Sequence, residues 1–149
     1  MALPLNSYEP KFLVTQELLY SHWPSIAPLL ERAPIIGPYS TDDVLKLAVA
    51  GAMHIFVFSA DTVDGPDVKL VMVLSPSNHP NLPVMNIVTI AGSNLRHFAG
   101  RFWETLKGWC YMNGARVIDA YIPDKLLPTA LKLGFVKEST HVRAPIDPQ

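Results

Sequence analysis

The segment GARVIDAYIPDKLLPTALKLGFVKE, residues 114–138, decides how the chain folds. Its first part, RVIDAYI, is a short apolar run with β-branched residues and reads as a core strand. Asp124 is placed to cap a short last helix, in which Pro128, four residues on, deletes the first backbone hydrogen bond. Gly134 ends that helix, since a residue without Cβ accepts the left-handed turn, and Phe135 then packs under the next strand. FVKESTHVRAPI, residues 135–146, is the expected closing strand.

Upstream of the segment the period is helical. Leu95, Phe98, Ala99, Phe102, Leu106, Trp109, Cys110 and Asn113 share one face, and Asn113-Gly114 stops the helix. VMNIVTIAG precedes it as a strand. A helix between two strands of one sheet makes them parallel. Further back, MHIFVFSA and VKLVMVL are strands joined by the turn cluster DTVDGPD, and the loop SPSNHPNLP leads to the third strand, giving an antiparallel meander. At the start, residues 12–15 are extended. Leu18, Leu19, Trp23, Ile26, Leu29 and Leu30 come next at helical spacing, with Pro24 marking a break. PIIGPYS is a loop. Thr41-Asp42-Asp43 caps a second helix through Val44, Leu45, Leu47 and Ala48 that closes near Gly51.

There is no internal repeat and no low-complexity tract. The reading is one α/β (α+β) domain over residues 1–149: a mixed, mostly antiparallel central sheet flanked by helices, with one parallel strand pair joined by a β-α-β crossover.

Composition agrees with one packed domain. The 149 residues are 49% hydrophobic and 17% charged, against about 25% charged in an average soluble chain. With 12 Lys+Arg against 13 Asp+Glu the formal charge is −1, which offers no long-range attraction to nucleic acid or an anionic membrane. The lone cysteine, Cys110, makes no intrachain disulfide. The N-terminus lacks a basic region followed by a long apolar one, and the apolar run 47–58 is too short to span a bilayer, so a soluble, unprocessed chain is expected. The 14 prolines read as rigid connectors.

The order β-α-α-β-β-β-α-β-α-β, with GARVIDAYI leading into ALKLGFVKE, resembles the GNAT family of acyl-CoA-dependent N-acetyltransferases over residues 12–146. A family member typically ends its last helix with a run like YEKLGF. Leu131-Lys132-Leu133-Gly134-Phe135 reproduces the tail of that run. Another α+β domain with the same element order is the competing reading.

The resemblance implies a nest of backbone N–H groups that holds the CoA diphosphate at the start of the helix after the meander. The family writes it as Gln or Arg, two residues, Gly, one residue, then Gly or Ala. One register runs from Arg96 through His97, Phe98, Ala99 and Gly100 to Arg101; the other runs from Asn94 to Ala99, with His97 at the usual glycine. The second is preferred, because it aligns Phe102, Leu106 and Trp109 with the family's buried helix positions. In either register the glycine is missing from its place, while Arg96 and Arg101 are placed to pair with phosphate.

The family's usual acid for the departing thiolate is a tyrosine four residues before the Gly of the GF pair, and Ala130 stands there. Tyr121, at the end of the fourth core strand, is the remaining candidate. His54 in an apolar strand reads as a hydrogen-bonded core residue, His79 lies in a proline-rich loop and His97 at a helix start. Cys110 reads as a small core residue. No group of residues has metal-ligand spacing.

The expected function is therefore a GNAT-like domain with degraded CoA-binding and catalytic motifs, acting as a binding or assembly component without a cofactor. Small chains of this kind resemble acetyltransferase-like proteins of bacteriophages, some of which lie among particle genes, so the cytoplasm or a phage particle is the expected location. Protein partners and self-association are expected, nucleic acid and membrane are not. IIGPYS and SPSNHPNLP, with Trp23 and Tyr39 as aromatic anchors, are the expected contact surface. The alternative is an active N-acetyltransferase using acetyl-CoA, with the acyl acceptor held by the first two helices and the loop 75–83.

Overall fold

A computed structural model describes residues 3–33, 39–77, 81–138 and 144–145. Along the chain run β1 (Glu9–Phe12), α1 (Gln16–Glu31), α2 (Thr41–Val49), β2 (His54–Thr62), β3 (Gly65–Ser77), β4 (Val84–Gly92), α3 (Leu95–Met112), β5 (Val117–Ala120) and α4 (Leu127–Lys132). Among the described residues the strands form one sheet in the order β1-β2-β3-β4-β5. The first three pairings are antiparallel and β4 pairs with β5 in parallel, as the crossover through α3 requires.

The sheet is buried on both faces, because apolar residues fill both sides of the strand alternation. Phe56, Phe58, Met72, Leu74, Met85 and Ile87 face α3, where Phe98, Phe102, Leu106 and Cys110 cover them. Phe58 and Phe98 stack with ring centroids 4.2 Å apart, and burying such a ring contributes about 2 kcal/mol. On the other face Ile55, Val57, Val71 and Val73 lie under Leu19, Ile26 and Leu30 of α1 and Val44 of α2.

Several expectations shift. The first strand is residues 9–12 and ends where extended chain was expected to begin. The expected break at Pro24 does not occur: α1 is continuous with Pro24 and Pro28 inside it. Tyr20, Pro24 and Pro28 lie on its exposed side, so the carbonyls deprived of partners face water. Ser40, not Thr41, caps α2, in a reciprocal box with Asp43. Asp124 caps nothing. It opens a 3-10 turn that precedes α4, and Pro128 falls in the first turn of α4, where no N–H is required. Residues 135–138 of the expected closing strand form no strand, and 139–143 and 146 lie outside the described residues.

Candidate functional site

Two irregularities in β4 shape the region that the sequence singled out. Val73 of β3 pairs with Thr89 and Leu74 with Ile87, so Val88 is an extra residue that bulges β4. A bulge bends its strand and increases the local twist. The parallel pairing to β5 ends beside it, at Ile87 and Ala120, while β4 continues to Gly92. The strands therefore part where β4 is kinked.

Beyond Gly92 the chain turns tightly into α3. Ser93 N–H donates to the Lys69 carbonyl at 2.9 Å. Asn94, with φ 64°, is the N-cap residue, but its side chain caps no helix N–H; its Nδ2 donates to Ser93 Oγ at 3.1 Å. The first turn of α3 thus presents N–H groups, and the positive end of the helix, without a side-chain acceptor from its cap.

Beside that turn a cavity of about 370 Å³ lies between α3 and α4, lined by Arg96, Ala99, Gly100, Pro128, Thr129, Lys132 and Leu133. Arg96 and Lys132 make no ion pair among the described residues. No carboxylate is in the lining. A Cβ on Gly100 would meet nothing within 4 Å, so the glycine keeps this side of α3 open. A second cavity, also about 370 Å³, lies on the other face of the sheet, between Leu29, Arg32 and Ala33 of the α1 end and Ile90, Ala91, Gly92 and Ser93.

Of the residues expected at the site, the structure brings Arg96, Ala99 and Gly100 to the first cavity, while Asn94 holds the N-cap position of α3 outside the lining. His97 is exposed on the first turn of α3 with its ring edge against Phe98, outside the lining. Arg101 points elsewhere, over the Phe58 ring at 5.8 Å. Tyr121 follows the end of β5 and is 59% exposed. Ala130 is half-buried in α4, and its carbonyl accepts from Phe135 N–H at 3.1 Å, closing the helix at Gly134 (φ 99°) as expected.

His54 does not belong to this region and makes no hydrogen bond among the described residues, contrary to expectation. It lies edge-on to Trp109 at 5.0 Å, near the far end of α3 and roughly 20 Å along the helix from Arg96. Burial lowers its pKa. Cys110 is buried, and burial pushes its thiol up to about 11, so it is a core residue. Trp23 is half-buried against the α1–α2 core and is not the exposed anchor expected of it, whereas Tyr39 is 38% exposed. His79 and residues 35–38 of the first expected contact loop lie outside the described residues. No group of three metal-ligating residues occurs among the described residues, and none of their helices is long and apolar enough to cross a membrane.

Pro128, Thr129, Lys132 and Arg32 were missed. Lys132 sits inside the LKLGF run, whose glycine and phenylalanine alone were given a role.

No family model matches the chain, and no curated protein matches it in sequence. Solved structures do match. An acetyltransferase from Trypanosoma brucei superposes with TM-score 0.63 at 17% identity, covering 93% of this chain and 99% of that one. An aminoglycoside N-acetyltransferase in complex with CoA gives 0.64 at 14% identity over 97% and 99%. Glucosamine-6-phosphate N-acetyltransferase from Arabidopsis thaliana gives 0.63 at 12% over 93% and 99%. The element order, the single parallel pair and these likenesses together show that the chain has the GNAT fold.

Proposed function

We propose that the chain is a CoA-binding GNAT-fold domain that works as a binding component and not as a fast acetyltransferase. The observation that supports this most is the cleft between α3 and α4: two cations without an ion pair among the described residues, Arg96 and Lys132, flank a helix start whose cap residue supplies no acceptor. A diphosphate suits these donors. Arg96 and Lys132 would pair with its oxygens, the first N–H groups of α3 would donate to them, and Gly100 leaves room at the helix surface. The solved aminoglycoside acetyltransferase carries CoA on the same fold. When bound as a thioester, CoA supplies an activated acyl group. Transfer then needs a proton donor for the leaving thiolate, and on α4 the hydroxyl expected at residue 130 is missing.

Calorimetric titration of CoA into the purified protein tests the reading. Micromolar binding is expected, weakened roughly tenfold by Arg96→Ala and by Lys132→Ala. Absence of binding at millimolar CoA overturns it. The assembly role, in a phage particle or elsewhere, would then stand alone, with a protein partner as its ligand.

Active N-acetyl transfer is the second reading. It is favoured by the parting of β4 from β5 at Ile87, with Tyr121 just beyond the end of β5. In this reading Tyr121, or water, protonates the thiolate. An amine screen with acetyl-CoA, repeated with Tyr121→Phe, tests it: turnover that survives in the variant removes Tyr121 from the chemistry.

A further inference from the structure

The second cavity, between the end of α1 and the end of β4, has a different character from a filled packing defect. Leu29, Ala33 and Ala91 give its apolar surface, Ile90 and Gly92 border it from β4 with the Ile90 side chain packed on the opposite face, and its hydrogen-bonding side chains are Arg32 and Ser93. Both supply donors. Arg32 stands exposed at the rim and makes no ion pair among the described residues. Ser93 Oγ accepts from Asn94 Nδ2, which leaves the hydroxyl proton to be donated elsewhere. No carboxylate or amide side chain is in the lining.

We propose that this cavity binds a small molecule bearing an anionic oxygen group, carboxylate or phosphate, through the Arg32 guanidinium and the Ser93 hydroxyl. A planar guanidinium pairs with two oxygens of such a group at once, which a point charge does not. Leu29, Ala33 and Ala91 face the remainder of the ligand, and the volume is at the lower end of small-molecule pockets, roughly 300–1,000 Å³. A polycation is disfavoured, because Arg32 repels it and no carboxylate in the described lining offsets its charge. The simplest competing account of Arg32 is a cation that offsets the negative end of α1, whose last turn holds no basic residue. The two accounts differ in what ligand does to the Ser93 signal.

The inference is independent of the CoA cleft, which lies on the opposite face of the sheet, and the test keeps the two apart. Amide spectra of the 15N-labelled full chain are recorded against inorganic phosphate, acetate and a polycationic aminoglycoside, with chloride holding ionic strength constant. Saturable shifts at Gly92, Ser93 and the Arg32 side chain are expected with phosphate or acetate and not with the aminoglycoside. Whichever of the two anions binds more tightly identifies the group. Arg32→Gln should abolish the saturation, Arg32→Lys should weaken it about tenfold, and Arg96→Ala should leave it unchanged. Shifts that do not saturate, that persist in Arg32→Gln, or that disappear in Arg96→Ala overturn the proposal. A thermal midpoint for Arg32→Gln equal to wild type without ligand excludes misfolding; a lowered midpoint transfers the decision to Arg32→Lys.

Discussion

Gly92 lies against the Lys69 carbonyl so closely that a Cβ at residue 92 would stand 2.1 Å from that oxygen. The same carbonyl accepts from Ser93 N–H, and Gly92 has φ 117°, a conformation that side chains rarely adopt. Lys69 is itself the extra residue of β3 where Phe58 pairs with Leu70 and Ser59 with Val68. The start of α3 is thus set on a backbone bulge. Gly92→Ala should cost about 3 kcal/mol, through clash and strained φ together. Urea unfolding monitored by tryptophan fluorescence measures it. A loss below about 0.5 kcal/mol would mean that the turn into α3 is not held there.

Tyr8 is buried and donates its hydroxyl to the Asp67 carboxylate, with Lys69 Nζ 5.6 Å from its ring centre. Burial first, then the hydrogen bond and charge of Asp67, push its phenol up to about 12 from 10.0. An acid whose pKa is raised by folding stabilises the fold fully below the unfolded pKa. That contribution is lost as pH rises through 10 towards 12. Absorbance titration should therefore show a late phenol that is absent from Tyr8→Phe. The variant should also lose about 1–2 kcal/mol at neutral pH, since Asp67 keeps its partial burial without its donor.

His54 makes the opposite linkage. Its pKa is lowered by burial against Trp109, so the unfolded chain takes up the proton first as pH falls below 6.5. Stability is full above 6.5 and declines below it, through the folded pKa. Chemical denaturation of wild type and His54→Phe at neutral pH and at mildly acidic pH isolates residue 54. The acid-side loss should be smaller in the variant. Equal losses in the two proteins would place the acid sensitivity elsewhere.

Much of this was legible from periodicity. VMNIVTIAG is β4 to the residue, because it is a short apolar run closed by a glycine, and the face running from Phe98 to Cys110 is the face α3 buries, because that stretch carries a clean helical period. The ends were less legible. Pro24 reads as a break only if the helix carbonyls it deprives are buried, and solvent exposure is not written in local sequence. The bulges at Lys69 and Val88 come from the pairing registers between neighbouring strands, which the residue pattern of a single strand does not write. The cleft was half legible: Arg96 was named from its helix start, whereas Lys132 and Thr129 reach it only because α4 is laid against α3 in space.

Ala130 supplies the sharpest test of the proposed binding role. Counting back from Gly134 puts the family's hydroxyl at this residue, and α4 reaches Gly134 in the expected left-handed turn. Residue 130 is half-buried, which leaves part of a ring accessible to solvent and part packed. If CoA binds as proposed and only the acid is lacking, Ala130→Tyr should raise acetyl-CoA consumption with a panel of primary amines. A gain of roughly 10–100-fold is the usual scale of a positioned acid. Free thiol release reads it, with CoA affinity measured in parallel. Affinity kept without any gain would show that the missing hydroxyl is not the limiting defect, and that acceptor binding or β4 geometry is.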